Sequence, residues 1–168
     1  MVGAMLVLLL VVAAFVAFRD LNRVEPTRPV AEVDYRQTLA YAREQAGFPV
    51  LAPDPLPAGW RATTVEFLPE PVRWHLGMLT GDEQYVGIEQ SASSERDMVE
   101  TYVDADATRS GAVTVDGTRW RVWVDAGGDT AIVRRTDAVT ALVVGRVPRD
   151  ELAGFVADIV ATSGRPPG

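Results

Sequence analysis

Three patterns of hydrophobic and polar residues follow one another along this chain, and the first is an unbroken apolar run. Residues 1–18 include no charged side chain, and the stretch from Met5 to Phe18 is apolar on every face of a helix, which suits lipid better than a half-solvated protein surface. Eighteen helical residues at about 1.5 Å each span roughly 27 Å, slightly less than a hydrocarbon core of about 30 Å. The run therefore predicts one transmembrane anchor over residues 1–18.

A cleaved signal peptide is the alternative interpretation of this run. The apolar region of a signal peptide usually has about 7–15 residues and ends in a small-x-small cleavage site. Cleavage after Ala17 would place Phe15 at the −3 position, and cleavage after Ala14 would fall inside the apolar run. An uncleaved anchor is therefore the favoured interpretation.

The orientation of the anchor stays open. Arg19, Arg23 and Arg28 follow the run, and the positive-inside rule alone would keep the following domain in the cytoplasm. Large domains cross membranes largely regardless of local charge, and a basic stretch upstream of residue 1 would reverse the count. We expect the domain on the outer side of the cell membrane.

The second pattern begins after a charged linker, predicted over residues 19–33, which contains two prolines. A helix is predicted between Asp34, a suitable N-cap, and Gly47, a suitable stop. Residues 48–59 then contain four prolines, which exclude regular structure. The apolar residues between these prolines predict an extended strap that lies on the core.

The third pattern is an alternation of apolar and polar residues, which is typical of strands. Asp116-Gly117 between two such segments predicts a two-residue hairpin. Strands are predicted over 60–68, 72–79, 85–91, 112–115, 118–124, 130–135 and 138–147, with helices over 93–103 and 148–163. The order predicts an α+β fold: a mainly antiparallel sheet of about six or seven strands with helices packed on one face, as a single domain over residues 34–164, followed by a tail over residues 165–168.

Composition narrows the classes of function. The chain has 23 acidic and 16 basic residues, a net charge of −7, so binding to a nucleic acid is not expected. It has no cysteine, which excludes disulfides, thiol catalysis and thiolate metal sites. His75 is the only histidine, so no second one can complete a zinc site. We therefore predict no metal and no cofactor.

Four residues are candidates for a ligand or partner surface: Trp74, His75, Gln90 and Trp123. Each also has a structural interpretation, because tryptophans on strands usually pack a core and single polar residues usually form local hydrogen bonds. In the predicted strand 118–124, Trp120 and Trp123 lie on opposite faces, so both cannot line one pocket. Trp123 is the better surface candidate unless a helix covers its side.

Four spaced motifs indicate a family. They are Leu56-Pro-Ala-Gly-Trp60, Trp74-His-Leu-Gly77, Tyr85-Val-Gly-Ile-Glu-Gln90 and Val115-Asp-Gly-Thr-Arg-Trp120. Together they resemble an uncharacterised actinobacterial family known as domain of unknown function 4245. The resemblance runs from about Arg19 to Ser163 and implies a single-pass protein with a short N-terminal anchor and an outer domain. The first and last motifs are also similar to small α+β domains of bacterial envelope sensors and anti-sigma factors.

Three classes of function follow from these observations. The favoured one is a non-enzymatic envelope module that binds a protein or an envelope component. A carrier or sensor of an apolar ligand is the alternative, and it requires a cavity between sheet and helices. An enzyme would require acid-base groups, such as paired buried carboxylates, gathered in a cleft.

Overall fold

The alternating segments form one antiparallel sheet of seven strands. The computed structural model describes residues 31–163. The strands are β1 (Arg61–Pro69), β2 (Val72–Leu79), β3 (Tyr85–Ser91), β4 (Thr108–Val115), β5 (Thr118–Val124), β6 (Thr130–Arg135) and β7 (Thr140–Gly145), and the helices are α1 (Arg36–Gln45), α2 (Glu95–Tyr102) and α3 (Arg149–Ser163). The predicted α+β class is confirmed, and the bounds of β2, β3, β5 and β6 are those predicted.

The sheet consists of two meanders that meet at their last strands. The strand order is β1-β2-β3-β7-β6-β5-β4, and every neighbouring pair is antiparallel. Asp116 and Gly117, at the tip of the β4–β5 hairpin, have φ angles of 47° and 69°, as the predicted two-residue turn requires. Pairing of β3 with β7 joins the meanders, and residues as far apart as Ser91 and Thr140 lie side by side.

Helices α1 and α3 cover one face of the sheet. Their buried residues include Leu39 and Ala42 from α1 and Phe155 and Ile159 from α3. These side chains pack in one core with Trp74, Leu76, Ile88, Trp120, Val122, Ile132 and Val143 of the sheet. The apolar stripe of the last helix is therefore buried against the sheet.

Helix α2 covers the other face, so the prediction that the helices share one face is wrong. Met98 and Val99 of α2 pack with Trp123, Ala131, Val133, Leu142 and Val144 in a second core. The reason lies in β7, which is buried at all six positions. A strand with consecutive apolar residues must be covered on both faces.

The ends of the helices depend on local hydrogen bonds. In α2 the Ser94 hydroxyl accepts a hydrogen bond from the Asp97 N–H, which is an N-cap. The predicted Asp34 cap of α1 is wrong, since the N-cap position is Tyr35 and no side chain caps the helix. Asp34 instead accepts a hydrogen bond from the Arg36 N–H at 3.1 Å.

No helix within residues 31–163 is both long enough and apolar enough to cross a membrane. The predicted anchor over residues 1–18, most of the linker and the tail over residues 165–168 lie outside the described residues.

Candidate ligand-binding groove

The proline-rich strap, residues 48–59, is held on the sheet by two side chains from the central strands. Gln90 of β3 is 1% exposed, and its amide accepts a hydrogen bond from the Leu51 N–H at 2.7 Å and donates one to the Pro49 carbonyl at 3.0 Å. The indole N–H of Trp74, from β2, donates to the Leu51 carbonyl at 2.9 Å. The strap has no strand partner, and without these bonds the N–H and carbonyl of Leu51 would be buried and unpaired.

A half-open groove of about 350 Å³ lies between the start of the strap, the sheet and the C-terminal end of α3. Sites for small molecules usually occupy about 300–1,000 Å³ and are mostly apolar. The lining is largely apolar: Gly47, Phe48, Pro49, Leu51, Gln90, Trp120, Arg134, Thr136, Ala138, Val139, Ala141, Val160 and Ser163. Its size is thus at the lower end of the range for a small-molecule site.

Besides Gln90, Thr136 and Ser163, the lining includes two groups that could bind a polar end of a ligand, the Trp120 indole and the Arg134 guanidinium. Trp120 is 2% exposed, and within the described part of the chain its indole N–H has no hydrogen-bond partner. A buried donor without a partner costs about 1–3 kcal/mol. The Arg134 guanidinium lies 5.9 Å from the centroid of the Trp120 ring, within the range of a cation–π contact.

This arrangement suits a ligand with an apolar part and an acceptor or anionic end. The apolar walls exclude water from a hydrocarbon group, and the Trp120 N–H and Arg134 can each donate to an oxygen atom. Binding of such an oxygen would satisfy the indole donor. The groove therefore has the chemistry of a site for a small amphiphile.

A second polar arrangement lies on the opposite face of the sheet, across β1, β2 and β3. His75 Nδ1 lies 2.5 Å from Glu89 Oε1, and His75 Nε2 lies 2.8 Å from the Thr64 hydroxyl. The register places these residues side by side, with His75 opposite Glu89. The order hydroxyl, imidazole, carboxylate is that of acyl-transfer triads.

Burial dominates the electrostatics of this cluster. Glu89 is 2% exposed, and desolvation raises the pKa of its carboxyl above the usual value, although His75 and Arg73 act in the opposite direction. Burial together with the nearby Glu89 raises the pKa of Tyr85 to about 12. A raised pKa makes Glu89 a poorer stabiliser of an imidazolium ion, because its charged form is the disfavoured one.

The four predicted surface residues do not form one surface. Trp74 and Gln90 lie on the face of α1 and α3, where both are buried and position the strap. His75 and Trp123 lie on the opposite face. Trp123 is only 7% exposed because α2 covers it, and its indole N–H donates to Glu95 at 2.9 Å.

Sequence reasoning ranked Trp120 below Trp123, did not select Arg134, and did not connect His75 with Thr64 and Glu89. The pairing of His75 with Glu89 could have been predicted from the sequence. If β2 and β3 form a hairpin closed by residues 80–84, Leu79 pairs with Tyr85 and His75 then pairs with Glu89. No comparable local signal marks the groove, because its walls come from distant segments. Within residues 31–163, no three acidic or histidine side chains are grouped so that they could hold a metal ion.

Comparison with known proteins places the chain in a family. No curated protein and no solved structure matches it. The model of the family described as protein of unknown function (DUF4245) matches residues 1–159, so the chain belongs to that family.

Proposed function

We propose that this protein is a membrane-anchored, non-enzymatic module of the cell envelope that binds a small amphiphile in the groove between strap, sheet and α3. The observation that carries the proposal is that Trp120, which lines the apolar groove next to Arg134, has a buried indole N–H without a partner among residues 31–163. The ligand is an envelope component with a hydrocarbon part and an oxyanion or carbonyl end. The anchor rests on the apolar run over residues 1–18.

The exposed surface favours a small ligand over a broad protein interface. Among residues 31–163, only Tyr41 and Tyr85 are large hydrophobic residues with high exposure. Sites for protein partners usually include a contiguous exposed apolar patch. The groove instead offers a concave apolar surface of the size that a small ligand needs.

Charge favours an anionic end on the ligand. The whole chain has a net charge of −7, which would repel an anion at most positions. Arg134 provides a positive charge at the groove, and an arginine binds carboxylates and phosphates through two parallel hydrogen bonds. An anionic amphiphile should therefore bind more tightly than a neutral one of the same length.

The experiment is a titration of the soluble fragment 31–168, once circular dichroism shows that it is folded. The probes are decanoate and decanol below their aggregation concentrations, with binding measured by calorimetry. We expect decanoate to bind more tightly than decanol. Trp120→Phe removes the N–H but keeps an aromatic ring, and Arg134→Gln removes the charge. Each should weaken decanoate binding about tenfold, the size of one charge-assisted or buried hydrogen bond.

The matched control is Arg36→Gln, which removes an exposed arginine at the start of α1, on a different part of the molecule. Decanoate should bind to this variant as it binds to the parent. Equal binding of decanoate by Trp120→Phe, Arg134→Gln and the parent would contradict the proposed site.

Ester hydrolysis is a second candidate function, favoured by the hydrogen-bonded chain of Thr64, His75 and Glu89. In that reaction the Thr64 oxygen would attack an ester carbonyl while His75 takes the hydroxyl proton, and the alcohol would leave with that proton as its bond to the carbonyl breaks. Water would then release the acyl group from Thr64 by the same route. It ranks second because the raised pKa of Glu89 weakens the support for a charged imidazole. Hydrolysis of p-nitrophenyl butyrate that is lost in both Thr64→Val and His75→Gln would favour the enzyme.

A further inference from the structure

The face of the sheet that α2 covers also carries a second groove, which is lined by arginines. It occupies about 500 Å³ beside α2, across β4, β5 and β6. Trp123 and Val133 lie on this face, and side chains two residues apart in a strand share a face. Arg109 is paired with Trp123, and Arg121 and Arg119 lie two and four residues before it. Arg135 lies two residues after Val133, so all four arginines are on this face. Arg134 borders the same groove from the neighbouring position of β6.

The groove is a basic region on an acidic protein. Five of the chain's 16 basic residues line it. No acidic residue of the described range 31–163 is among the lining residues. A concave surface with charges of one sign focuses the field and raises the local concentration of the opposite ion.

One carboxylate, from Glu95 at the start of α2, holds part of the cluster in place. It forms an ion pair with Arg121 and lies 3.9 Å from the Arg109 guanidinium. Arg109 also lies over the Trp123 ring, 5.2 Å from its centroid. These contacts order two arginines, and a single negative charge cannot neutralise the group.

The remaining arginines keep donors available. Arg119 is exposed and forms no ion pair or hydrogen bond with any side chain or backbone group of residues 31–163. Arg135 uses only its Nη1 atom, which donates to the Ala92 and Ser93 carbonyls and to the Thr140 hydroxyl. That anchoring directs the guanidinium while its other nitrogens stay open to a ligand. The site is therefore partly built before any ligand binds.

We propose that this groove binds a phosphate group. Planar guanidinium groups match the oxygen atoms of a phosphate bidentately, and several of them together can neutralise its double charge. Two sources share this chemistry, the free ion and the diester of a lipid headgroup, since each presents at least two anionic non-bridging oxygens to the arginines. This site is distinct from the amphiphile groove, since four of its five arginines lie on the other face of the sheet and only Arg134 lines both grooves.

The test is calorimetry with the full-length protein in an uncharged detergent at low ionic strength. The probes are inorganic phosphate, glycerophosphoglycerol as the headgroup diester, and tetra-aspartate as a carboxylate peptide. The key variant is Arg119→Gln, because the Arg119 side chain is exposed and its loss breaks no ion pair or hydrogen bond within residues 31–163. We expect the Kd for the bound phosphate compound to rise about tenfold or more, as on loss of a charge-assisted hydrogen bond.

Arg36→Gln is the matched control, since it also removes one exposed arginine but lies on α1. It should leave the Kd within about twofold, because Arg36 does not line the groove and α1 covers the other face of the sheet. Tighter binding of the diester would identify a headgroup as the source of the phosphate, and tighter binding of inorganic phosphate would identify the free ion. Both results support the site.

Three results would overturn the proposal. They are no binding of either phosphate compound by the parent, an equal loss of binding in Arg119→Gln and Arg36→Gln, and binding of tetra-aspartate in preference to both phosphates. None of these results bears on decanoate binding by Trp120→Phe, so the two proposals can fail separately.

Discussion

Replacing Gln90 by methionine tests whether this side chain holds the strap on the sheet. Methionine has a similar length and no hydrogen-bonding amide, so the substitution removes both bonds with little change in volume. The Leu51 N–H and the Pro49 carbonyl would lose their partners at 2.7 and 3.0 Å. The strap wall of the groove would then depend on Trp74 and on apolar contacts.

The expected cost follows from these two bonds. Leaving the buried Leu51 N–H unsatisfied costs about 1–3 kcal/mol, whereas Pro49 is exposed and its carbonyl can bond to water, so we expect a loss of about 1–3 kcal/mol in the free energy of unfolding. A small domain has a total of about 5–15 kcal/mol. The loss is therefore large enough to measure in fragment 31–168 by urea denaturation.

Hydrogen exchange makes the assay specific for the strap. The amide of Leu51 should exchange faster in Gln90→Met by a larger factor than amides in the middle of β6. Gln84→Met is the control, because Gln84 is exposed in the turn between β2 and β3. If Gln90→Met unfolds at the same urea concentration as Gln84→Met, the strap is not held as we describe.

Four further predictions concern other parts of the chain. Phe155→Ala should lower the free energy of unfolding by about 3–5 kcal/mol, because Phe155 is buried against Trp60. Asp158→Ala, at an exposed position of the same helix, is the control. If Phe155→Ala melts at the same temperature as the parent, α3 packs differently. Burial raises the pKa of Glu89 in the folded state, so the parent should lose stability as the pH rises from about 4.5 through that higher value. Glu89→Gln should show a smaller loss over the same range. Equal dependence of the free energy of unfolding on pH in parent and variant, measured by urea denaturation, would contradict the raised pKa. His75→Gln should keep the fold, with a loss of about 1 kcal/mol, and elemental analysis of the parent should find no stoichiometric transition metal. Full-length protein should stay with membranes after a carbonate wash while a fragment lacking residues 1–32 is soluble; a shortened soluble product of the full chain would indicate cleavage instead.

Local pattern was enough to predict most secondary structure. The alternation of side chains across a strand depends only on the backbone, so the bounds of β2, β3, β5 and β6 could be derived from neighbouring residues. The same rule correctly placed Trp120 and Trp123 on opposite faces, where they belong to different cores. The hairpin at Asp116-Gly117 also follows from two adjacent residues, one of which is the glycine that a positive φ favours.

The placement of the helices could have been predicted better from the same pattern. The stretch from Ala141 to Val144 has four consecutive apolar residues, which indicates a strand buried on both faces. One-sided packing of all three helices was therefore inconsistent with β7. Because α2 occupies the second face, Trp123 is covered and is not a surface residue.

Only the tertiary structure decided where the two grooves lie. The pairing of β3 with β7 brings Gln90 beside Ala141, and the strap then closes over both to form one wall of the apolar groove. The arginine groove needs the lateral order of β4, β5 and β6 as well as the position of Glu95 on α2. Such contacts join segments that are far apart in the chain. These contacts are stabilised by burial of both faces of the sheet, which must exceed the entropy lost when long loops are closed. Both quantities depend on residues far apart in the sequence, so no short segment can predict the contacts.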